Sequence, residues 1–150
     1  MSKDTHDGPE VVLPILLRPG RGVYGMFIRQ ALTEAGFPDM PANGGYVLGL
    51  IEPGGVPLGD VISDLGVSKQ TASQLVDTLV VRGYLERSVD PDDRRRVLVT
   101  LTERGRAASD AVVATVQEVD ARLLAAVGAE RLAHTKETLA ALVDLWPPTT

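Results

Sequence analysis

Leu58-Gly-Asp-Val-Ile-Ser-Asp-Leu65, Gly66-Val67, then Ser68-Lys-Gln-Thr-Ala-Ser-Gln-Leu-Val-Asp-Thr-Leu-Val80 is the stretch that decides the fold. Leu58, Val61, Ile62 and Leu65 recur at spacings of three and four, which gives a short helix one inward face. Gly66 is suited to the positive φ that closes such a helix. Ser68 is an N-cap for the next one, because its hydroxyl accepts from an early backbone N–H. In that second helix Ala72, Leu75, Val76 and Leu79 make a buried stripe, while Lys69, Gln70, Ser73, Gln74 and Asp77 lie elsewhere around the cylinder. Gly83 ends it. Two strand-like pieces follow, Tyr84-Leu-Glu-Arg87 and Val97-Leu-Val-Thr-Leu101, on either side of Asp90-Pro-Asp-Asp-Arg-Arg-Arg96. A helix, a tight turn, a helix and a hairpin with a basic tip can together grip a duplex. One helix enters the major groove and the tip reaches the neighbouring minor groove.

Outward from this centre the chain is helical on both sides. Val23 to Ala35 puts Val23, Phe27, Ile28, Ala31 and Leu32 on one face. Gly36 is a natural stop, and Pro38 and Pro41 prevent continuation. Tyr46-Val-Leu-Gly-Leu-Ile51 reads equally as a poor helix or a strand, because Gly44, Gly45 and Gly49 weaken it as a helix. Pro53-Gly-Gly55 is a turn. Beyond the hairpin, Thr102 caps a long Ala- and Val-rich helix that runs to about Val127, where Gly128 breaks it. Ala129 to Trp146 is a last amphipathic helix that Pro147-Pro148 stops. Long helices outside a compact centre point to an intertwined dimerisation layer and a two-fold homodimer.

Composition narrows the classes. The 150 residues have room for one domain, with 44% apolar and 23% charged residues. With no cysteine, disulfides, thiolate metal sites and thiol sensing are excluded, and a cytoplasmic location fits. No apolar run reaches the roughly 18 residues of a spanning helix, so no membrane role is expected. Met1 to Glu10 mixes both charge signs and lacks a signal-peptide layout. Net charge is −5, which alone argues against nucleic acid. Its distribution argues the other way. Residues 68–106 hold eight Lys/Arg against six acids, a local +2, while the remainder holds seven against fourteen, or −7. A basic face on an acidic body docks one side to phosphate and keeps the rest away. His6 and His134 form no metal constellation. No cofactor motif, catalytic triad order or phosphate loop is present, so no enzyme and no cofactor are expected.

Val67-Ser68, Thr71, Ser73, Leu75-Val76-Asp77, Leu79, Gly83-Tyr84-Leu85, Arg87, Asp90-Pro91, Asp93-Arg94-Arg95, Leu98, Leu101-Thr102 and Gly105 together resemble the core signature of MarR-type regulators. The resemblance is dense from Leu58 to Gly105, and the flanking helices agree in layout. It departs at Ile62, bulkier than usual there, and in the glycine-rich Tyr46 segment. It implies a mainly α winged helix-turn-helix fold with a small β-hairpin wing and N- and C-terminal dimerisation helices. The expected division is a flexible lead-in over 1–19, a dimerisation helix and second helix over 20–55, and the DNA-binding domain over 56–102. C-terminal dimerisation helices over 103–146 and a tail over 147–150 complete it.

The implied function is a sequence-specific transcription regulator, a ligand-responsive repressor that binds a pseudo-palindromic operator in double-stranded DNA. The alternative is a winged-helix interaction module that has lost DNA binding. Gln bonds adenine bidentately, Lys bonds guanine, and Ser or Thr bonds bases or phosphate. The expected DNA contacts are therefore Ser68, Lys69, Gln70, Thr71, Ser73 and Gln74, joined by Arg87, Arg94 and Arg96. Strand alternation would put Arg94 and Arg96 on one side and Arg95 on the other. By the family's pattern one arginine enters the minor groove and another braces the wing, and Arg94 is favoured for DNA and Arg95 for a brace to Asp77. An aromatic or anionic effector would sit between the dimerisation helices and the reading domain. Arg21, Tyr24, Phe27, Ile28 and Tyr46 are the candidate lining, with Arg29 a second cation for an anion.

Overall fold

The structure is a computed structural model and describes residues 12–146. The first eleven residues of the expected lead-in, with His6, and the tail at 147–150 lie outside the described residues. The element order is α1 (Leu13–Glu34), α2 (Gly44–Leu50), β1 (Val56–Pro57), α3 (Leu58–Asp64), α4 (Lys69–Val81), β2 (Leu85–Val89), β3 (Val97–Leu101), α5 (Glu103–Val127) and α6 (Ala129–Val143). The three strands form an antiparallel sheet in the order β1-β3-β2. Val56 faces Val99, and Leu85 pairs with Leu101 at the base of the hairpin while Val89 pairs with Val97 near its tip.

Local chemistry sets the boundaries of the central unit. Gly66 and Gly83 have φ of 63° and 79°, the left-handed region that a Cβ disfavours. The Ser68 hydroxyl accepts from Thr71 N–H at 3.1 Å, which caps α4. Ala72, Val76 and Leu79 of α4 are fully buried, as are Val61 of α3 and Val99 of β3. Leu75 is partly buried against this core. Burial of an aliphatic side chain of this size contributes about 1.5–3 kcal/mol, so the inward stripe outweighs the weak helical propensity of Val and Thr in α4.

Three segments differ from the sequence expectation. The first helix begins at Leu13, inside the expected lead-in, not near Val23. Pro14 lies in its first turn, where an N–H has no partner in any helix, and Pro19 forgoes one interior bond. Leu13, Ile15, Leu16 and Leu17 are exposed on this extension. The undecided Tyr46 segment is a helix, and two of its glycines, Gly44 and Gly45, are positions of close packing. A Cβ on Gly45 would stand 3.0 Å from Ile28 Cγ2 and 3.4 Å from Val112 Cγ2, so the bare backbone lets α2 lie against α1 and α5. The short β1 edge, which nothing in the residue pattern announced, joins α3 to the wing.

Helix α5 leans on the core through Gly105, Ala108, Val112, Thr115 and Val119, a stripe of small residues at three- and four-residue spacing. Its foot is anchored. The Thr102 hydroxyl accepts from Gly105 N–H at 2.9 Å and donates to the Gly83 carbonyl at 2.5 Å, while Thr102 N–H donates to the Tyr84 carbonyl at 3.1 Å. A Cβ on Gly105 would stand 2.0 Å from that same carbonyl oxygen. Helix α6 buries no residue, and Leu142, Val143, Leu145 and Trp146 at its end are exposed. No helix is long and apolar enough to cross a membrane among the described residues.

Candidate nucleic-acid interface

Helix α4 presents Ser68, Lys69, Gln70, Thr71 and Gln74 to solvent, with Ser73 half-buried. Ser68 and Thr71 are occupied with each other, since the Ser68 hydroxyl also donates to Thr71 Oγ1 at 2.8 Å. That pair holds the first turn, and Lys69, Gln70 and Gln74 keep long polar side chains toward solvent beside it.

The wing tip is a built turn. Asp90 is buried and its Oδ1 accepts from Asp92 N–H at 2.9 Å. Asp90 N–H donates to the Arg96 carbonyl at 3.0 Å, Arg96 N–H to the Asp93 carbonyl at 2.9 Å, and Arg95 N–H to Asp93 Oδ1 at 3.0 Å. The three arginines thus lie in the turn before β3 begins, and strand alternation does not apply to them. The expected Asp77–Arg95 brace is also corrected. Asp77 pairs with Arg87 on β2, while Arg95 pairs at 3.5 Å with Asp93 of its own turn. Arg87 starts five residues closer to the helix than the tip does, and its guanidinium is the one within reach.

Arg95 and Arg96 join Lys69 around one surface groove, whose other wall is Pro57 to Asp60 at the start of α3. Cations from the reading helix and from the wing therefore converge, with Asp60 the one carboxylate in the lining. This local field is the arrangement that collects phosphate.

The expected effector residues do not share one pocket. Ile28 and Tyr46 line a cavity of about 280 Å³ with Arg29, Phe37 and Met40. Arg21 caps the Tyr46 ring at 4.6 Å, and its carbonyl accepts from the Tyr46 hydroxyl at 3.3 Å. Phe27 lies elsewhere, under Arg122 of α5 at 5.2 Å. Tyr24 donates to Asp120 of α5, which Lys136 of α6 also meets at 3.4 Å. That hydrogen bond, with burial, pushes the Tyr24 phenol up to about 12.

A second polar cluster went unseen in the sequence. Asp39, in the loop between α1 and α2, accepts from Tyr84 Oη and from Arg104 Nη2, the latter at 2.7 Å, and its carbonyl accepts from Arg82. The hydroxyl of Tyr84, helped by Arg104, holds the Asp39 carboxyl below the usual carboxylate range. Burial, with the Asp39 hydrogen bond, raises the Tyr84 phenol. Nothing in residue type or spacing flags these four positions as partners.

A MarR family model matches residues 39–96. The structure of CouR from Rhodococcus jostii RHA1 bound to p-coumaroyl-CoA superposes with a TM-score of 0.73, at 28% identity over 91% of this chain and 92% of that one. Over residues 39–96 the chain matches the MarR family, and its fold is the winged helix-turn-helix of MarR-family structures. The Staphylococcus aureus MepR–DNA complex shares the fold, with a TM-score of 0.72 at 22% identity over 90% and 98% of the two chains. The HTH-type transcriptional regulator YwhA of Bacillus subtilis is 30% identical over 90 residues, which span 59% of this chain and 65% of YwhA, just under two thirds of its length. A MarR-family protein of Rhodococcus sp. RHA1 that shares the fold is likewise described as a transcriptional regulator.

Proposed function

We propose that this chain is a MarR-type, ligand-responsive repressor that binds a pseudo-palindromic operator as a homodimer in the cytoplasm. The observation that carries the reading is the convergence of Lys69, Arg95 and Arg96 on one groove beside the polar first turns of α4. Gln70 and Gln74 then read base edges, Lys69 reads guanine or phosphate, and Arg94 at the exposed tip enters the minor groove. Ser68, Thr71 and Ser73 support the backbone side of the contact, Arg96 meets phosphate, and Arg87 acts through Asp77.

The homodimer rests on the apolar side chains that α1 and α6 leave uncovered, Leu13, Ile15, Leu16, Leu17, Leu142 and Val143 among them. An exposed apolar surface of that extent marks an interaction face. Two reading heads on a two-fold dimer fit half-sites about 10 bp apart. A dimer seated on an operator excludes other proteins from that duplex, so release reads out as derepression.

The effector reading rests on the cavity at Arg29 and Tyr46, which offers a cation and an aromatic wall to an aromatic acid or its thioester. A ligand acts only through its different affinity for the bound and released geometries. Selection of a binding site from a random duplex pool, followed by anisotropy at several salt concentrations, tests the reading. A selected palindrome and a steep salt slope are expected. No selection above bulk duplex would leave a winged-helix interaction module as the function.

A further inference from the structure

We propose that Asp39 is a positioning residue that latches the wall of the α1–α2 cavity onto the reading head, so that the head turns with that wall. The inference rests on the effector reading only for its trigger; the latch itself is a property of the free protein. The loop between α1 and α2 has two faces. Phe37, Pro38 and Met40 line the cavity. Asp39, between them, reaches the opposite way, to Tyr84, Arg104 and Arg82. Two of those partners belong to the reading head and the third to the helix that leaves it. Arg82 ends α4, Tyr84 enters β2, and Arg104 opens α5. One carboxylate and one carbonyl thus hold the reading helix, the wing and the dimerisation helix at a single point.

The aromatic packing around the point is equally shared. The Arg104 guanidinium lies 4.5 Å from the Tyr84 ring centroid and 5.6 Å from that of Phe37. The two rings meet edge to face at 6.0 Å. Phe37 therefore touches the cavity with one side and the latch with the other. A ligand that displaces Phe37 or Met40 to enter has to move Asp39 with them, because they are adjacent in the chain. Removing the latch frees the head from the cavity wall without touching any side chain assigned to DNA.

The chain has no cysteine, so two introduced ones can be labelled alone. Spin labels at Gln30→Cys on α1 and Ser88→Cys on the wing, diluted with unlabelled chain, report the orientation of the head. Asp39→Asn and Arg104→Gln are each expected to broaden the label distance and to weaken binding to the selected duplex about tenfold, with the salt slope unchanged. The double variant should be no worse than either single one, since both cut one link. Tyr84→Phe, which removes only the hydroxyl, should broaden the distance in the same sense and serves if Asp39→Asn fails to fold. An unchanged distance in Asp39→Asn or Tyr84→Phe, or additive losses in the double variant, would overturn the latch. With 4-hydroxybenzoate as probe, release from duplex by the wild type should be blunted in Asp39→Asn. Undiminished release there would overturn the coupling. No binding of 4-hydroxybenzoate or its coenzyme A thioester to the wild type would count against the effector reading, and the label distances would still decide the latch.

Discussion

The Asp77 carboxylate, in the C-terminal half of α4, is paired with the Arg87 guanidinium on β2, so the reading helix and the wing are tied directly to each other. Both side chains are substantially exposed, and an exposed pair contributes about 0–1 kcal/mol. Its value is therefore angular. Arg87→Ala and Asp77→Ala should each leave the urea midpoint nearly unmoved, lower operator affinity, and show non-additive losses when combined. A fall of about one in the salt slope on Arg87→Ala would instead show that Arg87 neutralises a phosphate.

Substitutions at the reading surface should separate by kind. Gln70→Ala or Gln74→Ala is expected to cost about 1–3 kcal/mol on the selected site and to relax preference at one position. Arg94→Ala should weaken every duplex and reduce the salt slope by about one. Anisotropy titrations with matched and scrambled duplexes check both.

Gly105 should be the least replaceable glycine. An added methyl would stand 2.0 Å from the Tyr84 carbonyl oxygen, a backbone atom that cannot swing away. Gly105→Ala is expected to destabilise by about 3 kcal/mol, the upper end of overpacking costs. Gly49→Ala is the control, because nothing lies within 4 Å of its Cβ position in α2. It should stabilise by about 0.5–1 kcal/mol through helix propensity. Thermal and urea melts of the two variants give the comparison.

Tyr24 sets an alkaline limb. Its hydroxyl donates to Asp120, and the folded state holds the phenolic proton up to about 12, above the usual value near 10. A raised pKa in the folded state gives stability that is complete below pH about 10 and is lost as pH rises toward 12. Tyr24→Phe should remove that part of the decline. Urea midpoints of wild type and variant between pH 9 and 12, roughly the window of the shift, should converge as pH rises.

Association is the simplest check on the uncovered helices. Sedimentation at low micromolar concentration should give a species of twice the 16.0 kDa chain. Replacing Leu16 and Leu142 by Glu should yield the monomer, since charge on a buried apolar face is strongly unfavourable.

The reading head was legible because its signals are local. Apolar spacing from Leu58 to Leu79, the glycines at 66 and 83 and the Ser68 and Thr102 caps each act over one or two turns. The start of α1 was not legible, because Pro14 and Pro19 read as breakers and the helix tolerates one in its first turn and loses a single bond at the other. Helix α2 was ambiguous because Gly45 serves contacts with Ile28 and Val112, residues distant in the chain. The wing brace was misassigned for a local reason: a hydrogen-bonded turn at Asp93 removes the alternation on which the choice between arginines rested. Asp39 and its partners are separated by 43 to 65 positions, and no periodicity links them.

The tight seat of Gly105 on Tyr84 gives the protein a stiff lever. At about 1.5 Å per residue, the 25 residues of α5 make an arm of about 37 Å. A tilt of about five degrees at the seat carries the far end through about 3 Å, close to the rise of one base step. Whatever fixes the far ends of two such arms also fixes the gap between two wings. On the proposed dimer, operator spacing would then be a mechanical property of the joint at Tyr84, separate from the base reading proposed for Gln70 and Gln74.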